Sequence, residues 1–327
     1  MTTKNATMKA FNFGVEIEFT GCTRERAAKT VAAYFSGTPH FYGGGYDEWR
    51  ITDTKGRAWK VMSDSSIMAE KKNKINGHVS RTGTSDKHYK CELVTPILQY
   101  DDIEDLQQII RDLREKAYAV TNKSTGIHIH VGAEKFQPVH LTNLCRIFYT
   151  WEDLLYKAIQ CDPAHRDLSY CKKTDGGLIE ALKTHNKTKD DIHYAWYGDH
   201  SNLHENHHYD DSRYRGLNLH AYFTKGTVEF RCFNSELHAG KVKAYIQLCL
   251  AMAQQALLQK RATAKKTTVE NEKYAFRCWL LRLGLIGEEF ATARQHLLKH
   301  LDGCAAWKGG KEQADAHKAC QTAQQAA

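Results

Sequence analysis

The sequence predicts an α+β fold, and three observations carry that reading. Segments at residues 11–19, 125–131 and 227–231 alternate apolar and polar side chains with the period of a strand. Segments at 101–120, 141–160 and 241–259 repeat apolar residues at helical spacing. The two kinds do not alternate strictly along the chain, which argues against a doubly wound parallel sheet.

In order, FNFGVEIEF (11–19) is the opening strand, ended by Gly21. A short helical pattern covers 24–35. Gly43, Gly44 and Gly45 then mark a loop, and extended chain resumes at Trp59-Lys60-Val61-Met62. CELVTPIL (91–98) is a strand stopped near Pro96. Two aspartates open the next helix, where negative charge suits the N-terminus, and Ile103, Leu106, Ile109, Ile110 and Leu113 share its apolar face. GIHIHVG (126–132) returns to strand, and 141–160 is helical. Residues 199–212, crowded with His, Asn and Asp, read as a loop or lid. RGLNLHAYF (215–223) and GTVEFRCF (226–233) read as two further strands before a long helix over 241–259. The expected organisation is a main domain over 1–259, with 161–214 as an insert, then a linker and helical region over 260–327. The Ala- and Gln-rich end is expected to fray.

At 327 residues and 42% hydrophobic content the chain can bury a sizeable core. A formal charge of +8 favours anionic partners without choosing among them. No run approaches the roughly 18 apolar residues of a membrane helix. The opening MTTKNATMKAF lacks the basic-then-apolar layout of a signal peptide, so the cytoplasm is the expected location. Ten cysteines are scattered from Cys22 to Cys320 with no C-x-x-C pair, and are expected to be reduced and mostly buried. Dispersed aromatics and the lack of a recognisable motif argue against nucleic acid as partner. The oligomeric state is left open.

Strand alternation places Glu16 and Glu18 on one face and Val15, Ile17 and Phe19 on the other, with the two acids roughly 6–7 Å apart. Bare carboxylates that close repel, so a cation is expected between them. His128 and His130 share a face in the same way, as do Glu229 and Arg231, and Glu92 is a lone acid among strand formers. Carboxylates, imidazoles and a guanidinium are not the usual occupants of a solvated sheet face, which lysine, threonine and serine normally fill. The polar faces are therefore expected to line one pocket.

In this order the residues resemble the amidoligase family, a branch of the glutamine synthetase and glutamate-cysteine ligase superfamily, over residues 11 to about 250. The matching pieces are Gly14-Val15-Glu16-Ile17-Glu18-Phe19, Asp64-Ser65-Ser66, Glu92-Leu93-Val94-Thr95-Pro96, Gly126-Ile127-His128-Ile129-His130, Leu217-Asn218-Leu219 and Glu229-Phe230-Arg231. The resemblance implies a glutamine synthetase-like antiparallel sheet lining the active site, with packed helices. It implies an ATP-dependent ligase that phosphorylates a carboxylate and lets an amine displace phosphate, with ATP and Mg²⁺ as cofactors. The carboxylate would come from an amino acid, a peptide or a protein side chain. The resemblance makes Glu16, Glu18, Glu92, His128 and Glu229 metal ligands, places His130 and Asn218 at the nucleotide, and makes Arg231 the stabiliser of the transferring phosphoryl group, with Asp64 beside it. Mg²⁺ prefers oxygen ligands, which suits the four glutamates. A further metal-binding Glu of glutamine synthetase has no clear counterpart in the sequence.

Arg166, on the catalytic side, and Arg215, on the nucleotide side, are candidates to hold a carboxylate or phosphate in the guanidinium fork, against a competing solvated role. No G-x-x-x-x-G-K-[ST] occurs, and the triple glycine is expected to be a loop rather than a phosphate cradle. His200, His204, His207 and His208 suggest zinc, but Gly198, Asn202, Asn206 and the neighbouring aspartates disfavour the helix that would align them. The rival reading from another class is a metal-dependent hydrolase using His128 and His130; it leaves Glu16, Glu18 and the Glu229-Arg231 pair unexplained.

Overall fold

The computed structural model describes residues 3–75, 78–161 and 170–309, with Glu312 and Asp315. Helix α1 (Thr3–Lys9) leads into β1 (Phe13–Phe19), followed by α2 (Arg24–Tyr34), β2 (His40–Gly43), β3 (Glu48–Thr52) and β4 (Ala58–Met62). Strands β5 (Glu70–Ile75) and β6 (His78–Gly83) form a separate hairpin. Then come β7 (Cys91–Val94), α3 (Ile103–Glu115), β8 (Gly126–Gly132) and α4 (Pro138–Ile159). Short helices α5 (Gly176–Ala181), α6 (Lys189–Tyr197) and α7 (Leu203–Asn206) precede β9 (Leu217–Asn218), α8 (His220–Lys225) and β10 (Thr227–Asn234). Helices α9 (Ala239–Leu258), α10 (Glu272–Arg282) and α11 (Ala291–Leu298) follow. Eight strands make one antiparallel sheet in the order β2-β3-β4-β7-β1-β8-β10-β9.

The period of two sorts each strand. Val15, Ile17 and Phe19 of β1, Ile127, Ile129 and Val131 of β8, and Val228 and Phe230 of β10 are buried in one core with Trp59, Val61 and Leu93. Helix α9 is buried almost all round, from Val242 to Ala256, so it is the central helix of the packed layer rather than a surface one. Helix α3 offers the apolar stripe Ile103, Leu106, Ile109, Ile110 and Leu113.

The expected α+β class and antiparallel sheet are present, with two local differences. The segment read as a strand at 215–223 pairs with β10 over Leu217 and Asn218 alone and then becomes α8. Buried His220, Ala221 and Phe223 follow helical rather than alternating spacing, and Gly226, at φ +70°, ends the helix in the left-handed conformation that glycine adopts without strain. Strands β2, β5 and β6 carry too little alternation to be read in advance, and β3 alternates over only five residues within a turn-rich stretch.

The region after Lys260 joins the same core. Trp279 of α10 stacks on Trp151 of α4 with ring centroids 4.7 Å apart, and Phe276, Leu280, Phe290 and Leu297 are buried. The chain between α9 and α10 is tied to α4, where Asn143 Oδ1 accepts from the Ala262 amide at 2.8 Å and Lys266 pairs with Glu152. The end read as fraying lies, apart from Glu312 and Asp315, outside the described residues. The nine cysteines described are free, and all but Cys278 and Cys304 are buried. Among the described residues no helix is long and apolar enough to cross a membrane.

Asp102 anchors the start of α3 to the sheet. Its side chain is 1% exposed, accepts from Arg57 at 2.7 Å and from the Gln99 amide at 2.8 Å, and also pairs with Lys55. Burial raises its pKa, but the Arg57, Gln99 and Lys55 bonds outweigh that and hold it well below the usual carboxylate range. A depressed folded-state pKa gives stability that is present above the unfolded value near 3.9 and lost as pH falls below it. Asp102→Asn is therefore expected to destabilise the protein by about 2–3 kcal/mol at neutral pH. Urea melts should show the gap to the wild type narrowing as pH falls through about 4.

Candidate active site

The face of the sheet away from the central helix carries the polar residues. Register sets them side by side: Glu18 faces Glu92, Glu16 faces His128, and Glu229 lies between His130 and Asn218. Strand β10 bulges, so that Phe230 pairs with Ile129 but Phe233 pairs with Ile127. Arg231 and Cys232 thus share the place opposite His128, which keeps Arg231 in the cleft while Cys232 and Phe233 are both buried.

Glu18, Glu92, His128, His130, Asn218, Glu229 and Arg231 are all buried. Glu18 accepts from the Gly126 amide at 2.6 Å, and Glu16 lies 3.1 Å from His128 Nδ1, 3.3 Å from His130 Nε2 and 3.5 Å from Lys225 Nζ. Glu229 is clamped from both sides, accepting from Arg231 at 2.5 Å and from the Asn218 amide at 2.7 Å. His130 Nδ1 lies 3.0 Å from Thr227 Oγ1.

These neighbours pull the acids apart electrostatically. Burial raises the Glu229 pKa, but Arg231 and the two histidines outweigh it and the group stays strongly acidic. Glu16 is likewise lowered, burial being overcome by His130 and His128. Glu92 has less help: burial, then the charges of Glu16, Glu18 and Asp64, outweigh the pull of Lys225 and push it well above the usual range. Burial and then Arg231 lower His128 to about 4, against the pull of Glu16 and Glu229, which leaves a neutral imidazole able to ligate a metal.

Three overlapping groups of donors lie within 4.8 Å of one another: Glu16, His130 and Glu229; Glu16, Glu92 and His128; Glu18, Asp64 and Glu92. Asp64 thus completes an all-carboxylate group that the strand motifs alone leave short of a third acid. Its Oδ1 accepts from the Ser66 amide and hydroxyl, which fixes the turn that presents it. The set is rich in oxygen and short of positive charge at Glu92, which fits a hard divalent cation.

A cleft of about 560 Å³ opens over these residues. Its far walls come from loops: Tyr46 after the triple glycine, Ser63 to Ser66, and the stretch around His208, Tyr209, Arg213 and Tyr214. Tyr46 and Tyr209 both line it, and the neighbouring Tyr209 phenol raises the Tyr46 pKa. A smaller apolar trough of about 190 Å³, which His130 also lines, adjoins the cleft at Glu16, Val94 and Lys225. Gly14 and Gly132 lie along it, with Val94, Pro96 and Ile97 on one side.

Of the residues expected in the site, Arg215 is placed elsewhere. Its guanidinium lies 4.7 Å from the Trp196 ring, it does not line the cleft, and it feels Asp175 and Cys145 rather than the acids. Arg166 lies outside the described residues. The histidines suspected of holding zinc are paired off instead: His204 lies between Asp210 and Asp199, His200 is next to Asp190, and only His208 lines the cleft. Sequence reasoning missed Lys225 because the segment read as a strand put it in a turn, whereas the last turn of α8 brings it to Glu16. Tyr46, Tyr209 and Arg213 carry no spacing signal that could have found them singly.

A comparison with curated proteins finds no match. Among solved structures, a bifunctional glutathione synthetase from Pasteurella multocida is similar at 12% identity and a TM-score of 0.40, the match covering 90% of this chain and 47% of that one. This chain therefore spans about half the length of that structure. The family model described as "Putative amidoligase enzyme" matches residues 9–253, well over half of the chain. The protein belongs to this amidoligase family of ligase enzymes.

Proposed function

We propose that the protein is an ATP-dependent carboxylate-amine ligase of the cytoplasm with a glutamine synthetase-like active site, its catalytic domain being residues 1–259 and its specificity insert 161–214. The observation that carries this reading is the run of three oxygen-rich donor groups along one buried sheet face, with Arg231 among them. Glu16, Glu18, Asp64, Glu92 and Glu229, with His128, would hold Mg²⁺. When bound, that ion neutralises phosphate oxygens and acts as a Lewis acid.

The chain's own residues divide the remaining work. Arg231 offers a planar fork to the phosphoryl group in transfer, and its bond to Glu229 holds that fork in place. Asn218 orients Glu229 in turn. The glycine-lined trough takes the base of ATP, with the phosphates directed past His130 toward Glu16. The substrate carboxylate takes the γ-phosphoryl group as ADP leaves, and an amine then attacks the acyl carbon and expels phosphate. A metal-dependent hydrolase built on the two histidines has less support, because His128 and His130 fall in different donor groups.

ADP release with Mg²⁺ across a panel of amino acids, peptides and amines, with product masses, tests the reading: amide formation that proceeds without ATP overturns it. Glu16→Ala is expected to abolish turnover and to lower the Tm modestly, since the ionised carboxylate is favoured by His128, His130 and Lys225. Glu18→Ala should also be inactive but cost about 1–2 kcal/mol, because the Gly126 amide loses its acceptor. Turnover near wild type in either variant would remove the pair from the site.

Arg231→Lys keeps the charge and loses the fork. Steady-state kinetics should show turnover falling by about 10²-fold or more with a much smaller change in ATP affinity. Gly14→Val tests the trough. A Cβ at Gly14 meets nothing closer than Thr95 Oγ1 at 3.9 Å, so the fold should tolerate the change. The KM for ATP is expected to rise by about tenfold or more, and an unchanged KM would place the base elsewhere.

A further inference from the structure

Outside the cleft, positive charge gathers on the β5–β6 hairpin and the surface beneath it. Lys72 and Arg81 are direct cross-strand partners, an arrangement in which like charges destabilise a sheet. Exposed Lys123 follows on the loop before β8, and Arg26 projects from α2. Among the described residues none of Arg26, Lys72, Arg81 and Lys123 has an ion-pair partner within 4 Å. Arg81 instead donates to the Thr121 carbonyl at 3.1 Å, and Arg26 and Lys72 lie 4.5 and 5.6 Å from the Tyr118 ring. Nothing in the fold demands this accumulation, and no small anion could neutralise four cations spread over three elements.

The patch reaches the rim of the cleft. Met68, two residues before β5, donates its amide to Ser124 Oγ at 2.8 Å, and Ser124 lines the cleft. Asn122 binds the Met68 carbonyl and the Glu70 carboxylate, each at 2.9 Å, and Lys90 Nζ donates to the Ser65 carbonyl, also at the rim. The hairpin is thus fastened to the end of the cleft where Glu18, Asp64 and Glu92 lie.

We propose that this hairpin docks an acidic polypeptide and that one of its carboxylates is the group presented to the cleft. The inference rests on the ligase reading for the role of that carboxylate, but not for the binding itself. A polypeptide is favoured over single-stranded nucleic acid because Tyr118, the exposed aromatic of the patch, already has Arg26 and Lys72 against its ring, so that a stacked base would have to displace two of the four cations that draw the anion in. Repeated carboxylates along a chain match cations held on separate elements.

Fluorescence anisotropy of the full chain, without nucleotide and with chelator present, tests the proposal using labelled octaglutamate, octaglutamine and an eight-residue oligothymidylate. Octaglutamate should bind at least tenfold tighter than octaglutamine and tighter than the oligothymidylate, and should weaken as salt rises. Lys72→Glu/Arg81→Glu/Lys123→Glu should weaken octaglutamate binding at least tenfold. Lys187→Glu/Lys299→Glu/Lys308→Glu, which changes net charge equally on other surfaces, should weaken it less than twofold. If the hairpin variant melts early, the corresponding triple serine variant should move binding in the same direction. Equal losses in the two triple variants, equal binding of octaglutamine, or tighter binding of the oligothymidylate would overturn the proposal. The ligase reading is judged separately, by ADP release with free amino acids, which the hairpin variant should retain.

Discussion

The crowding of carboxylates on one buried sheet face is the constraint around which the rest is arranged. Glu16, Glu18, Glu92 and Glu229 sit on three strands, β1, β7 and β10, within the adjacent set β7-β1-β8-β10, with Asp64 leaning in from a turn, and burial alone would push their protons back on. The sheet holds them because each strand's other face is anchored in the core. Sliding β1 by one residue would exchange Glu16 and Glu18 for Val15 and Ile17, moving charge into the apolar layer and aliphatic groups into the cleft. The apolar side of the strand thereby fixes the register on which the polar side depends.

The charges are also held unequally. Glu229 is gripped by Arg231 and Asn218 and remains ionised, while Glu92 faces three acids whose charges outweigh that of Lys225. Positive charge is accordingly needed most at the end of the face where Glu18, Asp64 and Glu92 meet. At the other end the acids give way to glycine and an apolar trough, so the polar face changes from charged to bare along its length.

What could be read in advance follows from how local each signal is. Glu16 and Glu18, His128 and His130, and Glu229 and Arg231 each lie two residues apart on one strand, so alternation alone places them, and the structure brings all six together. Asp64 was legible only through the family resemblance, as part of Asp64-Ser65-Ser66, and the turn with Ser66 that presents it is a structural finding. Lys225 was not, because α8 forms where tertiary packing of His220 and Phe223 overrides a segment that reads as extended. Arg215 looked like a binding residue from its type alone, and its distance from the cleft is a tertiary fact that no local pattern encodes.

The roof of the cleft is made of two pieces the chain supplies far apart, the turn bearing Tyr46 and the stretch bearing Tyr209. Neither piece contributes to the sheet face beneath. The chemistry below and the dwell time of whatever lies there are therefore separable: a loop can lengthen, shorten or lose its phenol while every residue on the strands stays in place. A scaffold divided in this way can be retuned from slow release to fast, or from a narrow entrance to a wide one, by changes confined to surface loops.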